Sequence, residues 1–91
     1  MYYISWGDFL KSQKVEIDVR NVIGDRVEQL RKQKGLTQKD LTVELLKKGV
    51  SISPSGLSKL EKKIRKVTDI EVVALAEALD VSVNYLLDSN E

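Results

Sequence analysis

The 91-residue chain contains no cysteine and no histidine. Without cysteine there are no disulfides and no thiolate zinc site, and without histidine there is no imidazole base, metal ligand or haem ligand. Most familiar enzyme chemistries leave with them, and neither a metal nor a cofactor is expected. Long apolar runs are also missing. None approaches the roughly 18 to 20 residues that span a bilayer, and the N-terminus lacks a basic segment followed by an apolar stretch. The expectation is a cytoplasmic protein with no membrane contact and no evident small-molecule ligand. The length suits one small domain, without a separate sensor or catalytic domain. At 42% apolar residues the chain can build a core, though one small enough to lean on well-formed helices or on a partner.

What is present is unevenly distributed. The formal net charge is only +1, yet residues 20–66 hold thirteen basic side chains against five acidic ones, a net +8. Residues 67–91 hold six acidic side chains and no basic one, and the first nineteen carry −1. Such segregation lets a small domain attract and orient on a polyanion without being basic overall. The alternative on charge alone is a set of ordinary solvated helix faces. Aromatics are few, and four of the five, Tyr2, Tyr3, Trp6 and Phe9, fall in the first nine positions.

From Asn21 onward the chain reads as short helices. Ile23, Val27 and Leu30 recur at i, i+4, i+7 from about Val22 to Lys34, with Gly35 placed to stop the helix in the left-handed conformation. Thr37-Gln38-Lys39-Asp40 has the form of a capping box, followed by Leu41, Leu45 and Leu46 as the buried face toward Gly49. Ser53-Pro54 sets a capping hydroxyl before a proline at the first helical position, and Leu57, Leu60 and Ile64 supply a stripe. Thr68-Asp69-Ile70-Glu71 is a second capping box. It opens a helix apolar nearly all round, which predicts enclosure by its neighbours. Ser82 caps a last short helix with Val83, Leu86 and Leu87 inward, and residues 89–91 fray. Residues 1–20 differ in kind. They read as an N-terminal aromatic arm, a short helix from about Ser5 to Gln13 followed by an extended stretch in which Val15, Ile17 and Val19 alternate with acids.

The second and third helices, joined by a turn and flanked by basic residues, make a helix-turn-helix arrangement. At Ile23-Gly24, Leu30-Arg31, Gly35-Leu36-Thr37-Gln38, Leu41 and Ser58-Lys59-Leu60-Glu61 the sequence resembles the Cro and phage-repressor type (XRE-like) of helix-turn-helix family. Leu75-Ala76, Ala78-Leu79, Val81-Ser82-Val83 and Tyr85-Leu86-Leu87 extend the match over about residues 21–88. The resemblance implies an all-α, compact, five-helix lambda-repressor-like domain at 21–88. It also implies a dimer that docks its third helix in the major groove of double-stranded DNA. Three features depart from the family pattern. The stretch from Thr42 to Ile52 is about five residues longer, which predicts an extra turn on the second helix; position 42 is Thr rather than Ala; and Lys62-Lys63 replaces an Asn-Gly stop.

On the third helix the apolar stripe leaves Pro54, Ser55, Ser58, Lys59 and Lys62 outward, and the docking that the resemblance implies makes Ser55, Ser58 and Lys59 the expected base contacts. Lysine suits the O6/N7 edge of guanine, whereas serine is permissive. Read blandly, the serines are a helix start and Lys59 a solvated lysine. Gln38, at the positive end of the second helix, is expected on a phosphate with Lys39; Lys62, Lys63, Arg65 and Lys66 are expected on phosphates flanking the groove. The resemblance makes Arg31 and Glu61 a structural ion pair between the first and third helices. Trp6, Phe9, Val83 and Leu86 are candidates for contact with a second subunit or a regulatory protein; the alternatives are packing of Val83 and Leu86 into the domain's own core and closure of the arm over its own domain. The function expected is a sequence-specific transcriptional regulator, a repressor that occupies an operator. The competing class is an antitoxin-like or adaptor module whose arm binds a partner protein. Catalysis is the weakest class, since Asp69, Glu71, Glu77 and Asp80 sit where capping and solubility require acids.

Overall fold

In the computed structural model, residues 21–88 are described, and five helices follow one another among them: α1 (Gly24–Gln33), α2 (Gln38–Lys47), α3 (Pro54–Glu61), α4 (Asp69–Leu79) and α5 (Val83–Leu87). No strand occurs among the described residues. The arm at 1–20 and the last three residues lie outside them.

Four of the helices start on a side-chain cap. Thr37 and Thr68 each accept from the backbone N–H three residues on, while Asp40 and Glu71 reach back to the Thr37 and Thr68 amides and complete two capping boxes. Ser53 accepts from Gly56 and Ser82 from Tyr85. α1 is capped from farther back: buried Asn21 accepts from the Gly24 amide through Oδ1 at 3.0 Å.

The first four helices end alike. At Gly35, Gly49, Lys63 and Asp80 the chain turns left-handed (φ +72°, +83°, +65° and +59°). In each case the amide of that residue bonds three residues back and the next amide bonds five residues back. This is the Schellman closure, which satisfies otherwise orphaned carbonyls. Glycine adopts the conformation freely, but Lys63 and Asp80 do so against the steric preference of L-residues.

The core is one cluster in which Ile23, Val27, Leu41, Leu45, Leu57, Leu60, Leu75, Leu79 and Leu86 are nearly or wholly excluded from water. α3 packs between α1 and α2, and α4 closes the back of both and carries α5. α1 and α3 touch backbone to backbone at Gly24, where a Cβ would lie 2.5 Å from the Leu60 carbonyl oxygen. The long α2–α3 stretch divides into a ten-residue helix and a connection whose Val50 and Ile52 are buried, so the extra residues are anchored in the core.

Four expectations about burial are corrected. Leu46 is 61% exposed, because the chain turns back at Gly49 and buries Val50 instead. Ile64 is 65% exposed, because α3 ends at Glu61 and the left-handed Lys63 takes the chain off the helical stripe. α4 is not enclosed: Ile70 and Val73 face solvent. In α5 only Leu86 is buried, Val83 is half-buried and Leu87 is exposed, since a five-residue helix can press one turn against the core.

Candidate nucleic-acid interface

The orientation of α3 is fixed by a buried polar network. Glu61 at its last turn is 3% exposed and Arg31 of α1 is 7% exposed. Arg31 donates through Nε to Glu61 Oε2 at 2.6 Å and through Nη2 to Oε1 at 3.0 Å, a bidentate geometry. Arg31 Nη1 also donates to the Leu36 carbonyl at 2.9 Å, tying in the α1–α2 turn. Gln38 Nε2 donates to Glu61 Oε1 at 3.0 Å, so the first residue of α2 joins the same carboxylate. The hydrogen bond to Glu61 holds the Arg31 guanidinium above its ordinary pKa, against the opposing effect of burial, and Coulomb attraction to Glu61 adds to it.

A second clamp grips the end of α3. Asn21 Nδ2 donates to the Leu60 carbonyl at 2.7 Å and to the Arg65 carbonyl at 3.0 Å. One asparagine therefore caps α1 and holds two carbonyls of the segment that leaves α3. Sequence reasoning passed over Asn21; its place three residues before Gly24, at a helix start, was the available signal.

With Leu57, Leu60 and Glu61 inward, α3 turns Pro54, Ser55 and Lys59 to solvent and leaves Ser58 half-buried. The Ser55 hydroxyl stands 3.3 Å from that of the cap Ser53. The basic residues near α3 separate into two kinds. Lys63 pairs with Asp25 of α1 at 3.0 Å, and half-buried Arg65 makes a two-pronged contact with Glu71 of α4 at 3.1 and 3.3 Å. Both were expected on phosphates, but the structure places them in bridges that hold the α3–α4 connection. Lys39, Lys59, Lys62 and Lys66 are exposed and form no ion pair among the described residues.

Of the residues expected at a subunit or partner contact, Trp6 and Phe9 lie outside the described residues. Leu86 is 1% exposed and belongs to the protein's own core, which corrects its assignment to an interface. Its neighbour Tyr85 instead stacks under Arg26, whose Cζ lies 4.6 Å from the ring centroid and whose Nη1 donates to the Tyr85 carbonyl at 2.8 Å.

A short capped helix clamped twice at its C-terminal end, preceded by a second helix bound to it through one carboxylate, is the architecture of a helix-turn-helix reader. The family model of the helix-turn-helix domain matches residues 27–86, from α1 through α5. The chain belongs to the helix-turn-helix family of Cro and phage-repressor type. No curated protein is similar to it at a significant level. The family binds DNA and is not an enzymatic one. This helix-turn-helix domain offers no group of three or more acidic, histidine or cysteine side chains able to hold a metal among its described residues. No helix there is long and apolar enough to cross a membrane.

Proposed function

We propose that this helix-turn-helix protein is a sequence-specific transcriptional repressor of the cytoplasm. It would occupy an operator as a dimer, with one α3 in the major groove of each half-site. The observation that carries the reading is the division of α3 into a locked inner side and an outer side on which Ser55, in the first turn, and Lys59, in the last turn, are exposed. A groove about 12 Å wide admits such a helix and brings three or four side chains to base edges. Lys59 reads a guanine edge, with Ser55 and Ser58 beside it. Lys39, Lys62 and Lys66 neutralise phosphates, which gives affinity that falls with salt. Gln38 uses one amide hydrogen on Glu61 and keeps a second for a phosphate oxygen, so its contact with the DNA backbone is braced by α3. Lys63 and Arg65 contribute field while their ends remain on Asp25 and Glu71.

Dimerisation follows from economy of contact: one α3 reaches few base pairs, and two half-sites one helical turn apart multiply affinity. The test is selection of bound fragments from a random duplex pool, run for the wild type, Lys59→Ala and Lys66→Ala. A two-fold symmetric site is expected. Lys59→Ala should lose discrimination at one position per half-site, by about 1–3 kcal/mol, while Lys66→Ala weakens all sequences alike and lowers the salt slope. Enrichment of no sequence, or a Lys59→Ala site identical to that of the wild type, refutes the assignment.

A further inference from the structure

Ile70 and Val73 of α4 and Leu87 of α5 are 68%, 47% and 46% exposed, a concentration of apolar surface on the acidic, C-terminal part of the domain. Val73 and Leu87 wall a groove of about 340 Å³ together with Val22, Val67, Val72 and Val83. Asp69 is its one charged lining residue among those described, and Ile70 and Val73 lead into a neighbouring depression that Lys48, Asp69 and Glu77 also line. An unsatisfied apolar surface of this kind marks a contact. We propose that the segment ahead of Asn21, with Tyr2, Tyr3, Trp6 and Phe9, covers this groove in its own chain.

Four observations favour that occupant. The chain enters the domain at Asn21, fixed by its bonds to the Leu60 and Arg65 carbonyls, and the next residue, Val22, is already groove wall. The segment therefore starts at the edge of the surface it covers. Its length suffices: the fifteen residues from Trp6 to Arg20 reach up to about 50 Å when extended, whereas eleven-residue α4 is about 16 Å long. Its composition is complementary. The segment holds four of the five aromatics, and each such ring buries about 150–250 Å² when it finds a partner surface.

Charge separates this occupant from a second copy of the face. Two copies of this face would bring together two Asp69 carboxylates, whereas residues 1–14 bring Lys11 and Lys14 against a lone Asp8 and residues 1–20 as a whole sum to zero. A tether this short also gives the segment an effective concentration on the order of millimolar, ahead of any dilute competitor. The covered face shares no residue with α3, so this inference stands or falls apart from DNA binding.

Trp6 is the only tryptophan, which makes its emission in the full chain a direct readout. The wild type should emit to the blue and resist acrylamide, and neither property should change with protein concentration. Val73→Glu and Ile70→Glu, at exposed positions that leave the helical circular dichroism intact, should shift the emission to the red and raise quenching severalfold. In a chain otherwise free of cysteine, a bimane label on Leu87→Cys should be quenched, and Trp6→Phe should relieve that quenching. Should either glutamate variant lose helicity, the Leu87 label decides alone. Water-like emission in the wild type would overturn the proposal, as would a label indifferent to Trp6→Phe. So would blue emission that grows with concentration as the chain dimerises, because the groove would then hold a neighbour's segment.

Discussion

Truncating Glu61 to alanine tests the account of how α3 is held. The carboxylate is 3% exposed and receives two bonds from Arg31 and one from Gln38. Its loss leaves the guanidinium, itself 7% exposed, with the Leu36 carbonyl as its remaining protein acceptor. An uncompensated buried charge of this kind costs about 3–5 kcal/mol. A domain of some seventy residues has a total stability of about 3–10 kcal/mol, so Glu61→Ala should forfeit a third of it or all of it. In urea, with an m-value of about 1 kcal/mol/M, the midpoint should fall by about 3 M or the chain should be unfolded outright. Removing both charges is different in kind, because no stranded ion remains. Arg31→Met combined with Glu61→Leu should recover most of the lost stability, yet bind DNA more weakly than the wild type because α3 has lost its orienting fork. A Glu61→Ala stability within about 0.5 kcal/mol of the wild type, or a double variant no more stable than the single one, would refute the reasoning.

Two further substitutions probe the frame around α3. Gly24→Ala places a methyl 2.5 Å from the Leu60 carbonyl oxygen and 3.0 Å from that of Glu61. It should destabilise by about 1–3 kcal/mol, although alanine in an open helix gains up to about 1; a denaturation midpoint equal to or above that of the wild type would show that α1 and α3 can part freely. Asp40 has its pKa lowered from the ordinary 3.8, first by the hydrogen bond from the Thr37 amide and then by the Thr37 hydroxyl. A lowered folded-state pKa means that its contribution is complete above the unfolded value and disappears as pH falls through the folded one. Asp40→Asn should therefore flatten the loss of stability below pH 3.8, measured as thermal midpoint against pH, and an unchanged acid limb would contradict that origin.

Much of this frame was legible in the chain of letters because its signals are local. A Thr or Ser three residues ahead of the amide it caps is visible in any one sequence, and Thr37, Ser53, Thr68 and Ser82 all cap as read. The stripes Ile23, Val27, Leu30 and Leu57, Leu60 repeat at the helical period and are buried. Periodicity fails where the backbone leaves the period. Ile64 is in phase with Leu57 and Leu60 on paper, but Lys63 turns left-handed first, and lysine gives no warning of that as glycine does at Gly35. It fails again on α4, where an almost uniformly apolar sequence does not say which side is left uncovered, so the exposure of Ile70 and Val73 had no signature. The commitments of Arg65 to Glu71 and of Gln38 to Glu61 are matters of tertiary placement, and composition alone counted both cationic and amide ends as available.

The two sides of α3 carry separate obligations. Leu57, Leu60 and Glu61 answer to the interior, while the Lys59 side chain has no polar partner within the described domain and that of Ser55 meets only the Ser53 hydroxyl at 3.3 Å. The vocabulary this helix can address is therefore open to revision without disturbing its mounting. A lineage could drift from one binding site to another by exchanging two surface residues, never passing through a variant that fails to fold.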